Sequence, residues 1–209
     1  MVAELMREMN LFSIRTDAKK QHLKYDNDNK KDALRMNFAV KAPNEVWVSD
    51  ITYFKFNQKD YYICVILDLY SRKVIACKVS PKQSTQLTSS TFKLAFNQRN
   101  PNNGLIFHSD RGGNFMSYTF QTLLKSYRVK QSFSPSGKPQ HNAVMESFFA
   151  SMKKEELYRT NYRGIDDMKN RLQRYVDFYN NERPHSTIRY RTPNAHEDLF
   201  FQLQNEKSN

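Results

Sequence analysis

The apolar positions from Val46 to Phe56 (VWVSDITYFKF) are rich in β-forming residues, among them Trp47, Ile51, Tyr53 and Phe54, and read as a strand. A polar turn follows, Phe56–Asn57–Gln58–Lys59–Asp60, and then Tyr61 to Leu69 is a nearly unbroken apolar run, as expected of a strand buried on both faces. Ser71–Arg72 marks a second turn and Lys73 to Val79 a third strand, so the first three strands read as an antiparallel meander. The period then lengthens. Ser84 to Asn97 is helical through Leu87, Leu94 and Ala95, and Pro101–Asn102–Asn103–Gly104 ends it. Leu105 to His108 is a short strand, Met116 to Tyr127 a helix and Val129 to Phe133 a fifth strand. After the loop Ser134–Pro139, one helix is expected from Asn142 to about Tyr158 and another from Ile165 to Asn180. The order βββ-α-β-α-β-α-α predicts an α/β fold, a mixed five-stranded sheet with helices on both faces.

Upstream the pattern is weaker. Val2, Leu5, Met6, Met9 and Leu11 have near-helical spacing, so residues 1–12 are expected to form one amphipathic helix. Residues 13–43 are polar and charged, with DNDNKKD at 26–32, and read as a linker. Residues 44–200 form the core with a C-terminal helical segment, and 201–209 a tail.

Charge changes this picture. The 209 residues carry a net charge of +12, which makes a polyanion the first partner to consider. The excess is concentrated: residues 46–150 hold 13 Lys or Arg against only 5 Asp or Glu, whereas both flanks are nearly balanced. The five acids in that basic stretch are Asp50, Asp60, Asp68, Asp110 and Glu146. Two cysteines, Cys64 and Cys77, sit in apolar strand-like runs and read as buried hydrophobes in a reducing compartment. They are too few for a cysteine-rich zinc site, and the five histidines show no ligand spacing. No apolar stretch is long enough to span a membrane, and the N-terminus lacks the order of a signal peptide, so a cytoplasmic protein is expected.

Three of the acids stand in unusual places. Asp50 lies mid-strand in VWVSDITYF, where a carboxylate is disfavoured. Asp110 follows the short strand in LIFHSDRGGNF, and Glu146 lies at the edge of a helix face made by Met145, Phe148, Phe149 and Met152. Each has an ordinary alternative: Asp50 as partner of a buried arginine, Asp110 as a turn or cap residue, Glu146 as a surface acid. Together, a strand acid, a strand-end acid and a helix acid can meet at one edge of a mixed sheet. Converging carboxylates repel unless a cation neutralises them, and hard oxygen ligands suit Mg²⁺ or Mn²⁺. Two such ions suit in-line displacement at phosphorus. Asp60 reads as a hairpin-turn residue and Asp68 as the cap of the Tyr70–Ser71–Arg72 turn.

The strings W-V-S-D-I-T-Y around Asp50, H-S-D-R-G around Asp110 and N-A-V-M-E-S-F-F around Glu146 resemble the DDE motif of integrase-core transposases. Thirty-five residues separate Asp110 from Glu146, a spacing typical of that family. L-D-L-Y-S-R-K-V-I at 67–75, Y-N-N-E-R-P-H-S at 179–186 and T-P at 192–193 extend the resemblance, over almost the whole chain, to OrfB of insertion sequences of the IS-three type. The resemblance implies an RNase H-like, retroviral-integrase-like fold and a DNA transposase using Asp50, Asp110 and Glu146 as catalytic and metal-binding residues with two Mg²⁺ or Mn²⁺ ions. Transposon ends would be cleaved by activated water, and the freed 3′-OH would attack target DNA directly. It further implies terminal inverted repeats and target DNA as substrates, OrfA as a partner, a homo-oligomeric synaptic complex, and a bacterial, nucleoid-associated setting. Residues 1–12 would be the remnant of a helix-turn-helix-like segment.

Lys153 stands where the family carries Lys or Arg, seven positions after Glu146, about two turns and 10 Å along one helix face. Arg111, Lys138, Gln140 and Asn142 are further candidates for contact with DNA. His141 departs from the acid that family members often carry there. Tyr179, Asn180, Arg183, Pro184 and His185 read mainly as a structural cluster docking the C-terminal segment. Two other functions fit parts of the pattern: a catalytically dead DNA-binding fragment of a decayed element acting as a regulator, and a ribonuclease of the same fold. Lys153 and the 179–186 string argue against the ribonuclease.

Overall fold

The computed structural model describes residues 40–134 and 142–208. The expected helix and linker at the N-terminus, and Lys138, Gln140 and His141, lie outside the described residues. Five strands form one sheet: β1 Val46–Phe56, β2 Lys59–Asp68, β3 Val74–Ser80, β4 Ile106–Ser109 and β5 Lys130–Phe133. The spatial order is β3-β2-β1-β4-β5. The meander β1–β2–β3 is antiparallel, while β4 and β5 join parallel to β1 on its other side. A two-residue turn joins β1 to β2, with Asn57 at φ 47 and Gln58 at φ 60. Positive φ at both positions matches the strand twist, and this turn fixes the register of the hairpin.

Alternation along the strands divides two cores. On one face Val46 and Val48, with Ile63, Val65 and Leu67, pack under α4 (Ala143–Met152) and α5 (Ile165–Asn181). On the other, Trp47, Ile66, Ala76 and Phe107 pack against α1 (Thr85–Arg99) and α3 (Tyr118–Ser126). Met168, Leu172, Tyr175, Val176 and Tyr179 give α5 its buried stripe. Phe92 is the hub of the second core, in edge or tilted contact with Trp47, Phe107, Phe120 and Tyr127. Cys64 is buried in β2, Cys77 lies in β3, and both thiols are free.

Two expected helices are corrected. The helix expected over 116–127 breaks at Ser117, leaving a short α2 (Gly113–Met116) before α3. Ser117 is extended, with ψ 143, and its hydroxyl caps α3 by accepting from Phe120 N, so the chain restarts rather than continues. The helix expected as unbroken to Tyr158 changes after Met152 into a π-helical turn, Lys153–Leu157, closed by Tyr158 N donating to Lys153 O at 2.9 Å. The last helix, α6 (Pro193–Ser208), crosses residue 200, where a tail was expected to begin.

A polar cluster docks α6. Glu197, 3% exposed, accepts from Arg99 Nη2 at 2.6 Å, Arg99 Nη1 at 2.9 Å, Lys73 Nζ at 3.1 Å and Ser71 Oγ at 2.9 Å. Asp68 caps its turn as expected: Oδ1 accepts from Tyr70 N and Ser71 N, and Oδ2 from Asn44 N. Asn180 pairs its side-chain amide with both backbone groups of Val74, at 2.9 Å each, and so covers the start of edge strand β3.

Candidate active site

The register of the sheet places the first two acids. β1 and β4 run parallel with Val46 beside Ile106 and Val48 beside His108. One further step of two residues sets Asp50 level with Asp110, just past the end of β4. Neighbouring strands lie about 4.8 Å apart. Asp50 shares the parity of Val46 and Val48, so it belongs to the face that α4 covers.

Two donors orient Asp50. Ile51 N donates to Oδ1 at 2.7 Å, and Asn142 Nδ2 donates to Oδ2 at 3.0 Å. Even so, the carboxyl is pushed up from 3.8 to about 7, first by burial, then by Asp110, with Glu146 adding to the rise against the two donors. Asp110 accepts from Gly112 N at 3.0 Å. A Cβ on Gly112 would sit 2.9 Å from Asp110 Oδ1, so any larger residue there would displace the Asp110 carboxylate from this position. Glu146 is on the exposed side of α4's first turn.

Behind Asp110, the buried His108 ring lies within hydrogen-bonding distance of Ser132 Oγ through Nδ1 and of Ser134 Oγ through Nε2, both at 3.0 Å. This ties the end of β4 to β5 where the chain leaves the sheet.

The fold therefore brings Asp50, Asp110 and Glu146 into one electrostatic neighbourhood. Among the described residues no three His, Cys, Asp or Glu side chains are drawn together closely enough to hold an ion as they stand. The donor set nonetheless suits a hard cation. All three side chains offer oxygen, their mutual repulsion is uncompensated at Asp50, and Asn142 Oδ1 beside them is buried with no hydrogen-bond partner among the described residues.

The other expected residues fall in different places. Asn142, expected to contact DNA, is 7% exposed and turned inward to Asp50. Its role was missed because the residue before A-V-M-E reads from sequence as a helix start. Lys153 holds Nζ over the exposed Tyr53 ring, 5.7 Å from its centroid. Arg111 is exposed beside Asp110.

The sheet order β3-β2-β1-β4-β5, with an antiparallel meander on one side of β1 and parallel strands on the other, is that of an integrase-like core. Integrase core domain models match residues 40–139 and 127–193. The transposase for insertion sequence element IS904 of Lactococcus lactis is 30% identical over 92% of this chain and 77% of its own length. Transposase InsF for insertion sequence IS3A of Escherichia coli is 34% identical over 73% of this chain, which spans 54% of that relative. In structure, the magnesium complex of the HTLV-2 integrase catalytic core domain superposes with a TM-score of 0.57 at 22% identity, covering 73% of this chain and 94% of that one. The simian T-cell lymphotropic virus intasome gives 0.64 at 19% identity, covering 73% and 53%. The chain belongs to the insertion-sequence transposases with an integrase core domain, and its fold is RNase H-like. Among the described residues no helix is long and apolar enough to cross a membrane.

Proposed function

We propose that this chain cleaves transposon ends and joins them to target DNA through Asp50, Asp110 and Glu146, which would hold two Mg²⁺ or Mn²⁺ ions. The observation that carries the reading is the parallel register of β1 and β4, with Asp50 level with Asp110 on the face under the helix that bears Glu146. Among the described residues Asp50 bonds only neutral donors, so the site is suited to receive positive charge from outside. Bound divalent ions would make water or a 3′-hydroxyl a competent nucleophile and stabilise the leaving oxygen. In cleavage, water adds to phosphorus, the P–O3′ bond breaks, and the strand retains a free 3′-OH. In joining, that oxygen forms the new bond to a target phosphorus as the target's own P–O3′ bond breaks, so neither ATP nor a covalent enzyme intermediate is required.

Within this reading Asn142 and Ile51 N–H fix the orientation of Asp50, and the Gly112 turn fixes Asp110. Lys153 and Arg111 would meet phosphates flanking the acids, and Lys138 and Gln140 would meet DNA from the preceding loop. Terminal inverted repeats, OrfA and further copies of the chain are the partners the reaction calls for. The homology of the magnesium-bound integrase core supports a divalent ion.

The test is cleavage and joining of a labelled oligonucleotide carrying the element's terminal repeat, with Mg²⁺ or Mn²⁺. Asp110→Asn and Glu146→Gln should each lose activity on the order of 10³-fold, since a metal-bound charge is worth several kcal/mol in the transition state. DNA binding without chemistry in the wild type, with OrfA supplied, would point to a regulatory DNA-binding protein instead.

A further inference from the structure

A cleft of about 250 Å³ opens beside α4 and is lined by Arg72, Ser147, Ser151, Tyr179, Arg183 and His185. Three separate segments meet there: the β2–β3 turn, α4 next to Glu146, and the stretch after α5. They come from three of the sequence strings noted above, and no acid lines the cleft. Arg183 is already balanced. Its Nε and Nη2 donate to Glu155 at 2.8–3.1 Å, and Nη2 reaches Ser151 Oγ at 3.2 Å.

Arg72 and His185 are not balanced in this way. Arg72 Nη1 and His185 Nε2 are both shielded from water, and neither has a hydrogen-bond partner among the described residues. Burial lowers the pKa of both side chains, with Arg183 adding to the effect on His185. An orphaned guanidinium nitrogen is costly to fold and calls for an acceptor, whereas His185, kept neutral by burial with its ring N–H donating to the Tyr179 backbone, leaves Nε2 as a lone pair that packs beside the site. The backbone supports the same conclusion. Arg72 sits at φ 65, a conformation better served by glycine or asparagine, so arginine there is explained by its side chain. The volume equals that of roughly eight waters, room for a tetrahedral oxyanion with part of its hydration.

We infer that this cleft binds a backbone phosphate of DNA, with Arg72 as its ligand and the Arg183–Glu155 pair as its frame. The inference rests on the DNA-processing reading above. A phosphate held there would fix the duplex relative to the helix that carries Glu146, without reading sequence.

The test is binding of labelled duplexes by the full chain without divalent metal, followed by fluorescence anisotropy between 50 and 200 mM salt. Arg72→Asn removes the charge but tolerates the left-handed backbone, and Arg72→Lys keeps the charge. Arg72→Asn should weaken binding about tenfold, equally for every duplex sequence. Its plot of log affinity against log salt should be shallower by about 0.9, while Arg72→Lys retains the slope. Its thermal midpoint should equal or exceed that of the wild type, and inorganic phosphate should raise the midpoint of the wild type only.

Wild-type DNA affinity and slope in Arg72→Asn would overturn the inference while leaving the transposase reading intact. If phosphate protection still depended on Arg72, the cleft would be a site for free oxyanion. A lowered midpoint with unchanged DNA binding would make Arg72 a structural residue. Failure of cleavage in the wild type, with Arg72-dependent binding retained, would sink the catalytic reading alone. A wild type that binds no duplex would overturn both.

Discussion

The chain buries acids in two places and treats them in opposite ways. At the docking site of α6, Glu197 is surrounded by Arg99, Lys73 and Ser71. Burial alone would raise its pKa, but hydrogen bonding and charge from Arg99 bring the net shift below the ordinary value. Asp68 nearby receives backbone donors on both oxygens, which oppose but do not cancel the rise in its pKa caused by burial. At the other site Asp50 has two neutral donors and two acidic neighbours, and its pKa rises to about 7. The difference separates an acid that holds a structure from one kept in readiness for a ligand. The first finds its counter-charge within the chain, and the second bonds only neutral donors beside two further acids, a field that a bound cation would relieve.

The largest test of this contrast strips the satisfied site. Arg99→Ala leaves Glu197 buried with part of its partners, and should destabilise the fold by about 3–5 kcal/mol. The thermal midpoint should fall on the order of 10 °C; an unchanged midpoint would show that the pair is not needed for docking α6. Next comes Asn142→Ala. With its donor lost, Asp50 should rise further, so cleavage should fall about 10–100-fold and the acidic limb of the pH–rate profile should move to higher pH. A loss of rate with an unmoved limb would mean that Asn142 supports only the helix start.

The smallest effect concerns stability. Asp50 titrates ordinarily at 3.8 and in the fold at about 7, so the folded state binds its proton more tightly. Stability therefore declines as pH rises from about 4 to 7, and the full penalty is present above 7. Asp50→Asn removes that penalty, about 4 kcal/mol at most, but most of the gain is offset because the new NH2 faces one of the two donors that Asp50 accepts from. Metal-free, the variant should be about 1 kcal/mol more stable than wild type at pH 8 and no more stable at pH 4, by chemical denaturation at each pH. A variant less stable at pH 8 would place Asp50 among the structural acids.

Much of this was legible in the sequence. The sheet could be read because β1 is rich in β-forming residues, β2 is a continuous apolar run and the Asn57–Gln58 turn is short, all of which depend on neighbours in sequence. Asp50 stood out because a mid-strand carboxylate contradicts its surroundings. What escaped depended on contacts between distant segments. The inward turn of Asn142 exists only because Asp50 lies 92 positions away in sequence and adjacent in space. The cleft at Arg72 joins three strings, one read for Glu146 and one as a structural cluster, and their meeting is not visible in any of them singly. The Asn180 bond to Val74 spans 106 positions and bears out the structural reading of part of the 179–186 cluster. The break at Ser117 had a local cue, a serine three residues before Phe120 N, which the apolar pattern on either side masked.

The parallel pairing of β1 with β4 has a consequence for how such elements decay. β4 has four residues, and two-residue periodicity carries its register through to Asp110. A single codon gained or lost within it would turn Asp110 to the opposite face of the sheet. The three motifs would still be present in the gene, in order and nearly at their usual spacing. An alignment that tolerates gaps would score the copy as intact. The sheer brevity of β4 thus makes it a place where a genome can hold a silent wreck, recognisable by counting residues between Ile106 and Asp110 and by little else.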